Sequence, residues 1–87
     1  MNKLIASWNS VDPKNNRYRH YSISLQEDLW GNEVLVKRWG RIGERKRENY
    51  YWIQSHRELF DKIEKIKKTR EDHNYDLVKG SLLSQNT

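Results

Sequence analysis

Alternation of apolar and polar residues along the first half of the chain predicts β-strands. In the clearest segment, Tyr21, Ile23 and Leu25 alternate with polar residues, which is the period of a strand with one buried face. A shorter apolar run, Lys3 to Ser10, precedes it and ends at the turn-forming cluster Asp12 to Asn16. We therefore expect a short strand, a loop and a longer strand in this order.

The next strand, Glu33 to Trp39, follows a Gly31-Asn32 pair that is typical of a two-residue hairpin loop. With that loop the numbers of facing residues sum to 63, so that Val34 and Val36 lie on the buried face. The same register places three residues on the polar face: Leu35, Lys37 and Trp39. A one-residue slip, or a bulge at Gly40, would exchange the two faces.

The sequence of the second half of the chain predicts a strand, a helix and a short final segment. Arg41 to Arg45 is predicted to turn the chain into a strand from Lys46 to Ile53. Ser55-His56-Arg57-Glu58 has the form of a capping box, and the helix that it starts is predicted from His56 to about Arg70. Tyr75 to Val78 adds an edge strand or lies over the core. The fold class is therefore α+β, a small antiparallel sheet of about four to five strands with one α-helix packed across it.

The predicted helix has an apolar stripe and a charged face. The stripe contains Leu59, Phe60, Ile63 and Ile66. The charged face contains three acid-before-base pairs four residues apart: Glu58–Lys62, Asp61–Lys65 and Glu64–Lys68. We expect these lysines to form a solvated, internally balanced face and not a binding surface.

Positive charge is concentrated between Lys37 and Arg47. This segment holds six basic residues and one acid, which equals the formal net charge of +5 of the whole 87-residue chain. Such crowded cations repel one another unless they bind a polyanion, and a tryptophan among them can stack on sugar or base. Against this, a strand tryptophan usually belongs to the core, and charges around a turn usually only aid solubility. The candidate nucleic-acid-binding residues are Lys37, Arg38, Trp39, Gly40, Arg41, Arg45, Lys46 and Arg47.

Composition and spacing argue against other function classes. The chain has no cysteine, and its three histidines lie far apart, so we expect neither a metal site nor a cofactor. Most acidic residues lie in helix pairs or turns, and no phosphate-loop spacing is present, so we expect no enzymatic activity. Because no window is apolar enough for a membrane span or a signal peptide, we expect a cytoplasmic protein with no membrane partner.

The residues around the tryptophan resemble a known family. Trp39-Gly40-Arg41-Ile42-Gly43, preceded by the Tyr21-Ser22-Ile23 strand and Leu29-Trp30-Gly31, is similar to the WGR domain, which is named for that tripeptide. The resemblance extends from about Leu4 to Val78, and the Lys68-Thr69-Arg70…Tyr75 ending resembles that of small bacterial single-domain members. On this basis we expect residues 1–80 to form one WGR-like domain and residues 81–87 to be a frayed tail.

The resemblance implies a role known best from poly(ADP-ribose) polymerases. In these proteins the domain contacts DNA at strand breaks and relays that binding to a catalytic domain. The motif tryptophan packs on the sugar–backbone at a DNA end, and the motif arginine makes polar contacts to DNA or a neighbouring domain; by position these are Trp39 and Arg41. The chain carries the WGR unit alone, so we expect no ADP-ribosyl transfer.

The sequence therefore predicts a non-enzymatic nucleic-acid-binding module, with DNA favoured over RNA and with ends or nicks as the target. The alternative is a protein–protein adaptor in a DNA-associated complex, in which Trp39 and Arg41 anchor a partner protein.

Overall fold

The computed structural model describes residues 3–79, which form five strands and one α-helix. The strands are β1 (Lys3–Asp12), β2 (Arg17–Glu27), β3 (Glu33–Arg41), β4 (Arg47–Trp52) and β5 (Asp76–Lys79), and the helix α1 is His56–Asp72. A short 3-10 turn, Pro13–Asn15, joins β1 to β2. Neighbouring strands are antiparallel in the order β4-β3-β2-β1-β5, which confirms the predicted sheet and helix. The predicted tail, residues 81–87, lies outside the described residues.

The core lies on one face of the sheet. Ile23 and Leu35, on the two central strands, are completely buried there, and α1 contributes Leu59 and Ile63 to the same cluster. Each side chain of this kind stabilises the fold by about 1.5–3 kcal/mol when fully buried. The prediction that Phe60 belongs to the apolar stripe of the helix is wrong, since this residue is 47% exposed. Phe60 follows Leu59 directly and therefore points about 100° around the helix from it.

The capping box forms as predicted. The Ser55 hydroxyl accepts a hydrogen bond from the Glu58 amide at 3.1 Å, and the Glu58 carboxylate accepts one from the Gln54 amide at 2.8 Å. Two amides at the helix start are thereby satisfied. At the other end, Asn74 adopts a left-handed conformation with φ of 65°. This turn returns the chain so that β5 pairs with the outer edge of β1.

The charged face of α1 differs from the prediction. Among the described residues none of the three predicted i,i+4 pairs forms an ion pair. The helix instead has one i,i+3 pair, in which the Lys67 ammonium lies 3.8 Å from the Glu64 carboxylate. The Lys62 ammonium lies 4.9 Å from the centre of the Tyr51 ring on β4. Lys62 is therefore directed towards the sheet.

The predicted register of the β2–β3 hairpin is wrong. Glu27 faces Glu33 and Tyr21 faces Trp39, so the numbers of facing residues sum to 60 and not 63. An odd shift exchanges the two faces of β3. The buried face consequently carries Leu35, Lys37 and Trp39. Val34 and Val36 lie on the opposite face, where they are shielded beside two aromatic residues of β4, Trp52 and Tyr50.

The Asp28 carboxylate explains the longer loop. One of its oxygens accepts hydrogen bonds from the amides of Trp30 and Asn32, both at 2.9 Å. The other accepts from the Asn32 side-chain amide and from the Trp52 indole, both at 3.1 Å. An Asp side chain that captures amides two and four residues ahead favours a wider turn, so the hairpin closes around residues 28–32. Gly31 takes the left-handed position within it, with φ of +84°.

Gly40 allows the turn between β3 and β4 to cross close to β3. A Cβ atom at this position would lie 3.3 Å from the Arg45 carbonyl oxygen and 3.2 Å from the Lys46 side chain, and the φ of +156° disfavours any side chain. Lys46 also holds the turn, because its ammonium donates to the carbonyls of Arg41 and Glu44 at 2.9 and 2.6 Å. The glycine of the Trp-Gly-Arg motif therefore has a structural role.

Replacing Asp28 with alanine is expected to lower the midpoint of thermal unfolding, Tm, in a pH-dependent way. Desolvation raises the pKa of this carboxyl, but the four hydrogen bonds that it accepts outweigh that effect and lower the pKa to about 2. The stabilisation is thus complete above the pKa of the unfolded chain, about 4, and is lost as the pH falls through about 2. The Tm difference between wild type and Asp28→Ala should shrink over this range when followed by circular dichroism.

The control for this prediction is Asp61→Ala, which removes an exposed carboxylate from the middle of α1 and should leave Tm closer to that of the wild type. A wild-type advantage over Asp28→Ala that stayed constant from neutral pH down to about pH 2 would show that the ionised carboxylate does not hold the loop.

Candidate nucleic-acid interface

A concave surface at one end of the sheet is lined by five arginines, and we call it the arginine groove. The arginines are Arg17, Arg19, Arg41, Arg45 and Arg47. The groove encloses about 720 Å³. Its remaining lining includes Trp39 and two tyrosines, Tyr18 and Tyr75, but no carboxylate side chain. Five of the eight predicted residues therefore meet here.

The antiparallel register brings these residues together. The beginning of β2 lies beside the end of β3, so that Arg19 faces Arg41. The beginning of β4 lies on the other side of β3, so that Arg47 faces Trp39. Arg17 and Arg19 were not among the predicted residues, because the assumed register did not place the start of β2 beside the motif. The sequence feature that could have identified these two residues is their Arg-x-Arg spacing at the start of a predicted strand.

Trp39 connects the core to the groove. Its ring stacks on Tyr21 with a centroid distance of 6.3 Å and an interplanar angle of 24°, and Tyr21 in turn meets Trp8 edge-on at 6.0 Å. Trp39 is half-buried and packs against the core cluster, while another part of it lines the groove. The prediction that it stands on the polar face is wrong. Its packing fixes the ring in place, and its accessible part lines the groove together with the arginines.

Arg41 joins the two turns that flank the groove. Its guanidinium donates to the Asn16 backbone carbonyl at 3.3 Å and to the Asn16 side-chain oxygen at 3.2 Å. It also lies over the Tyr18 ring at 5.1 Å and has the Glu44 carboxylate 3.6 Å from its Nε. These contacts tie the β1–β2 connection to the β3–β4 turn. Arg41 is thus a positioning residue that forms part of the groove wall.

Of the other four arginines of the groove, one is held by hydrogen bonds and three are exposed. Arg17 donates to the Ser10 hydroxyl at 2.7 Å and to the His73 carbonyl at 3.2 Å. Three arginines are exposed and form no hydrogen bond or ion pair with the residues that the structure describes: Arg19, Arg45 and Arg47. Cations without acidic partners in a concave site raise the local positive potential and attract anions.

Three predicted residues lie outside the arginine groove. Arg38 is on the opposite face, where it is ion-paired with Glu48. The Tyr50 hydroxyl also donates to Glu48, and this bond, followed by that from Arg38, holds the pKa of the Glu48 carboxyl below its ordinary value. Lys46 is engaged with backbone carbonyls of its turn. Lys37 lies beside α1, with its ammonium 4.8 Å from the centre of the Tyr51 ring.

Residues 3–79 offer no grouping of three acidic or histidine side chains that could hold a metal ion. Within the same range, no helix combines the length and apolar character needed to cross a membrane.

Comparison with known proteins identifies the family. A 33-residue segment of the chain is 42% identical to the uncharacterized protein y4dW of Sinorhizobium fredii; it covers 38% of this chain and 16% of that protein. No solved structure matches the chain significantly. The family model of the WGR domain matches residues 6–80, which include every residue of the arginine groove. The protein therefore belongs to the WGR domain family.

Proposed function

We propose that this protein is a non-enzymatic module that binds nucleic acid, and DNA ends or nicks in particular, through the arginine groove. WGR domains are nucleic-acid-binding modules associated with poly(ADP-ribose) polymerases, which supports the class of ligand. The observation that carries the proposal is that three exposed arginines, which have no acidic partner among residues 3–79, share one concavity with a tryptophan held by its packing. Phosphate neutralisation would relieve the repulsion among these cations and release counterions.

In this proposal the groove residues have different tasks. Arg19, Arg45 and Arg47 contact phosphates, because their guanidinium groups are exposed. The accessible part of Trp39 packs on a terminal sugar or base, which an end or a nick exposes and an intact duplex does not. Arg41 holds the flanking turns in place through Asn16. Since α1 contributes no residue to the groove lining, we expect recognition that does not depend on base sequence.

The double variant Arg45→Gln/Arg47→Gln is expected to weaken DNA binding and its salt dependence. Each phosphate contact contributes about 0.9 to the slope of log affinity against log salt for duplex DNA, so the loss of two contacts should make the slope shallower by about 2. The measurement is a titration of fluorescent nicked, blunt and single-stranded DNA at several salt concentrations.

The matched control is Arg38→Gln/Lys68→Gln, which removes two exposed cations from outside the arginine groove and should leave the slope unchanged. Absence of wild-type binding to every DNA at low salt would contradict the proposal. An equal loss in the control variant would also contradict it, because the effect would then follow total charge and not the groove.

Trp39→Ala is expected to reduce the affinity for nicked or blunt-ended DNA by about 1–3 kcal/mol, as for loss of a base-stacking aromatic. Because Trp39 also packs on Tyr21, the titration is made well below the Tm of the variant. Trp30→Ala, which removes an exposed tryptophan side chain from the β2–β3 loop at the far end of β2, is the control and should bind like the wild type. Unchanged binding by folded Trp39→Ala would remove the stacking role.

A second candidate function, protein–protein adaptor, is favoured by one separate observation. Leu29 is 92% exposed and Trp30 is 80% exposed, and the loop that carries them is fixed by the hydrogen bonds of Asp28. Rigid exposed tryptophans are frequent anchors in protein interfaces. This loop lies at the opposite end of β2 from the arginine groove, about 30 Å away.

For the adaptor role we expect Trp30→Ser to abolish capture of a partner protein while DNA binding stays unchanged. Capture is measured by pull-down with the wild type and with Trp30→Ser, in each case with and without nuclease. If nuclease treatment abolishes capture of the partner, or if Trp30→Ser still captures it, the protein is not an adaptor that uses this loop.

A further inference from the structure

We propose that the groove between α1 and β3 is a second phosphate-binding subsite, which holds the nucleic-acid backbone beyond the part bound in the arginine groove. The inference rests on the proposed function and extends it from Lys37, the first residue of the basic segment, to a surface of α1 that the motif does not indicate. We call this surface the lysine groove, defined by Lys37, Lys62 and Lys65.

The lysine groove is continuous along the helix. One part, of about 140 Å³, is lined by the three lysines together with Leu35, Tyr51 and Ile66. The next part, of about 210 Å³, shares Lys37, Lys65 and Ile66 with the first and continues to Arg70. From Lys62 to Arg70 the helix rises about 12 Å. An elongated row of cations suits a chain of phosphates better than a single small anion.

Two of the cations converge on one aromatic ring. The ammonium groups of Lys37 from β3 and Lys62 from α1 lie 4.8 and 4.9 Å from the centre of the Tyr51 ring, so they are at most about 10 Å apart. That separation does not exceed the screening length at about 0.1 M salt, so the two charges repel each other. The ring offsets part of this repulsion through cation–π attraction. A phosphate between them would offset the rest.

The lining of the lysine groove contains no carboxylate, and within residues 3–79 none of the three lysines forms an ion pair. Glu58 and Asp61 lie nearby, in a concavity of α1 that is also lined by Lys62 and Lys65 but by no residue of β3. In the described part of the chain, the side of the groove that faces β3 is therefore without acidic residues. Lysine ammonium groups bind phosphate as point charges, whereas the arginine guanidinium binds it through a planar fork.

The two grooves meet at the aromatic stack. Tyr21 lines the far part of the lysine groove, and Trp39, which stacks on Tyr21, lines the arginine groove. Lys37 precedes Trp39 by two residues on the same face of β3, about 7 Å along the strand. A nucleic-acid strand that leaves Trp39 along this face would next meet Lys37 and then the lysines of α1.

The test compares Lys62→Gln/Lys65→Gln with Lys67→Gln/Lys68→Gln, which removes the same charge from the same helix outside both grooves. The ligand is a 5′-phosphorylated DNA hairpin with a stem of about twelve base pairs, longer than the lysine groove at about 3.4 Å per pair. We expect the first variant to bind more weakly, with a salt slope shallower by about 2, and the second to match the wild type.

A third variant, Lys62→Arg/Lys65→Arg, retains both charges and is expected to keep the wild-type slope, which separates charge from packing against Tyr51. If the wild type and Lys67→Gln/Lys68→Gln bind and Lys62→Gln/Lys65→Gln binds equally well, the lysine groove is not a subsite, although the arginine groove stands. If the wild type binds no DNA, both proposals fail.

Discussion

The Asp28 carboxylate accepts four hydrogen bonds within and across from the β2–β3 loop, and the placement of the candidate site depends on them. These bonds set the loop length, the loop length sets the register of the two central strands, and the register decides which face each side chain of β3 occupies. Trp39 consequently stacks on Tyr21 and reaches the arginine groove. With the register of a two-residue loop, it would stand on the opposite face, away from α1 and from both grooves.

The cations of this protein fall into two groups with different roles. Some are used to build the site: Arg41 ties the flanking turns together through Asn16, and Lys46 holds the β3–β4 turn. Others are exposed and have no acidic partner among the described residues, in particular Arg45 and Arg47. Crowding of the second group costs stability in the free protein and favours an anionic ligand. The first group holds the backbone of the turn that carries Arg45 and Arg47, which lowers the ordering cost of binding.

The strands, the helix and its capping box could be predicted from the sequence because each depends on local periodicity and on residues a few positions apart. The face of β3 could not be predicted, since the Gly31-Asn32 pair is typical of a tight turn, whereas the hydrogen bonds of the Asp28 carboxylate favour a wider one. Five of the eight candidate residues lie in the arginine groove, because the motif and its turn are contiguous in sequence. Arg17 and Arg19 come from a distant part of the chain and required the correct register. The position of Lys62 over the Tyr51 ring could not be predicted, because helix charge spacing does not show which lysines are directed towards the sheet.

The most direct measurement follows the indole N–H resonances of the four tryptophans by NMR while nicked DNA is added. The four report on different places: Trp8 in the core, Trp30 at the loop tip, Trp39 in the arginine groove and Trp52 on the opposite face. If nucleic acid binds in the arginine groove, we expect a large, saturable shift for Trp39 and little change for the other three. Shifts confined to Trp30 or Trp52, with Trp39 unmoved at saturation, would contradict it.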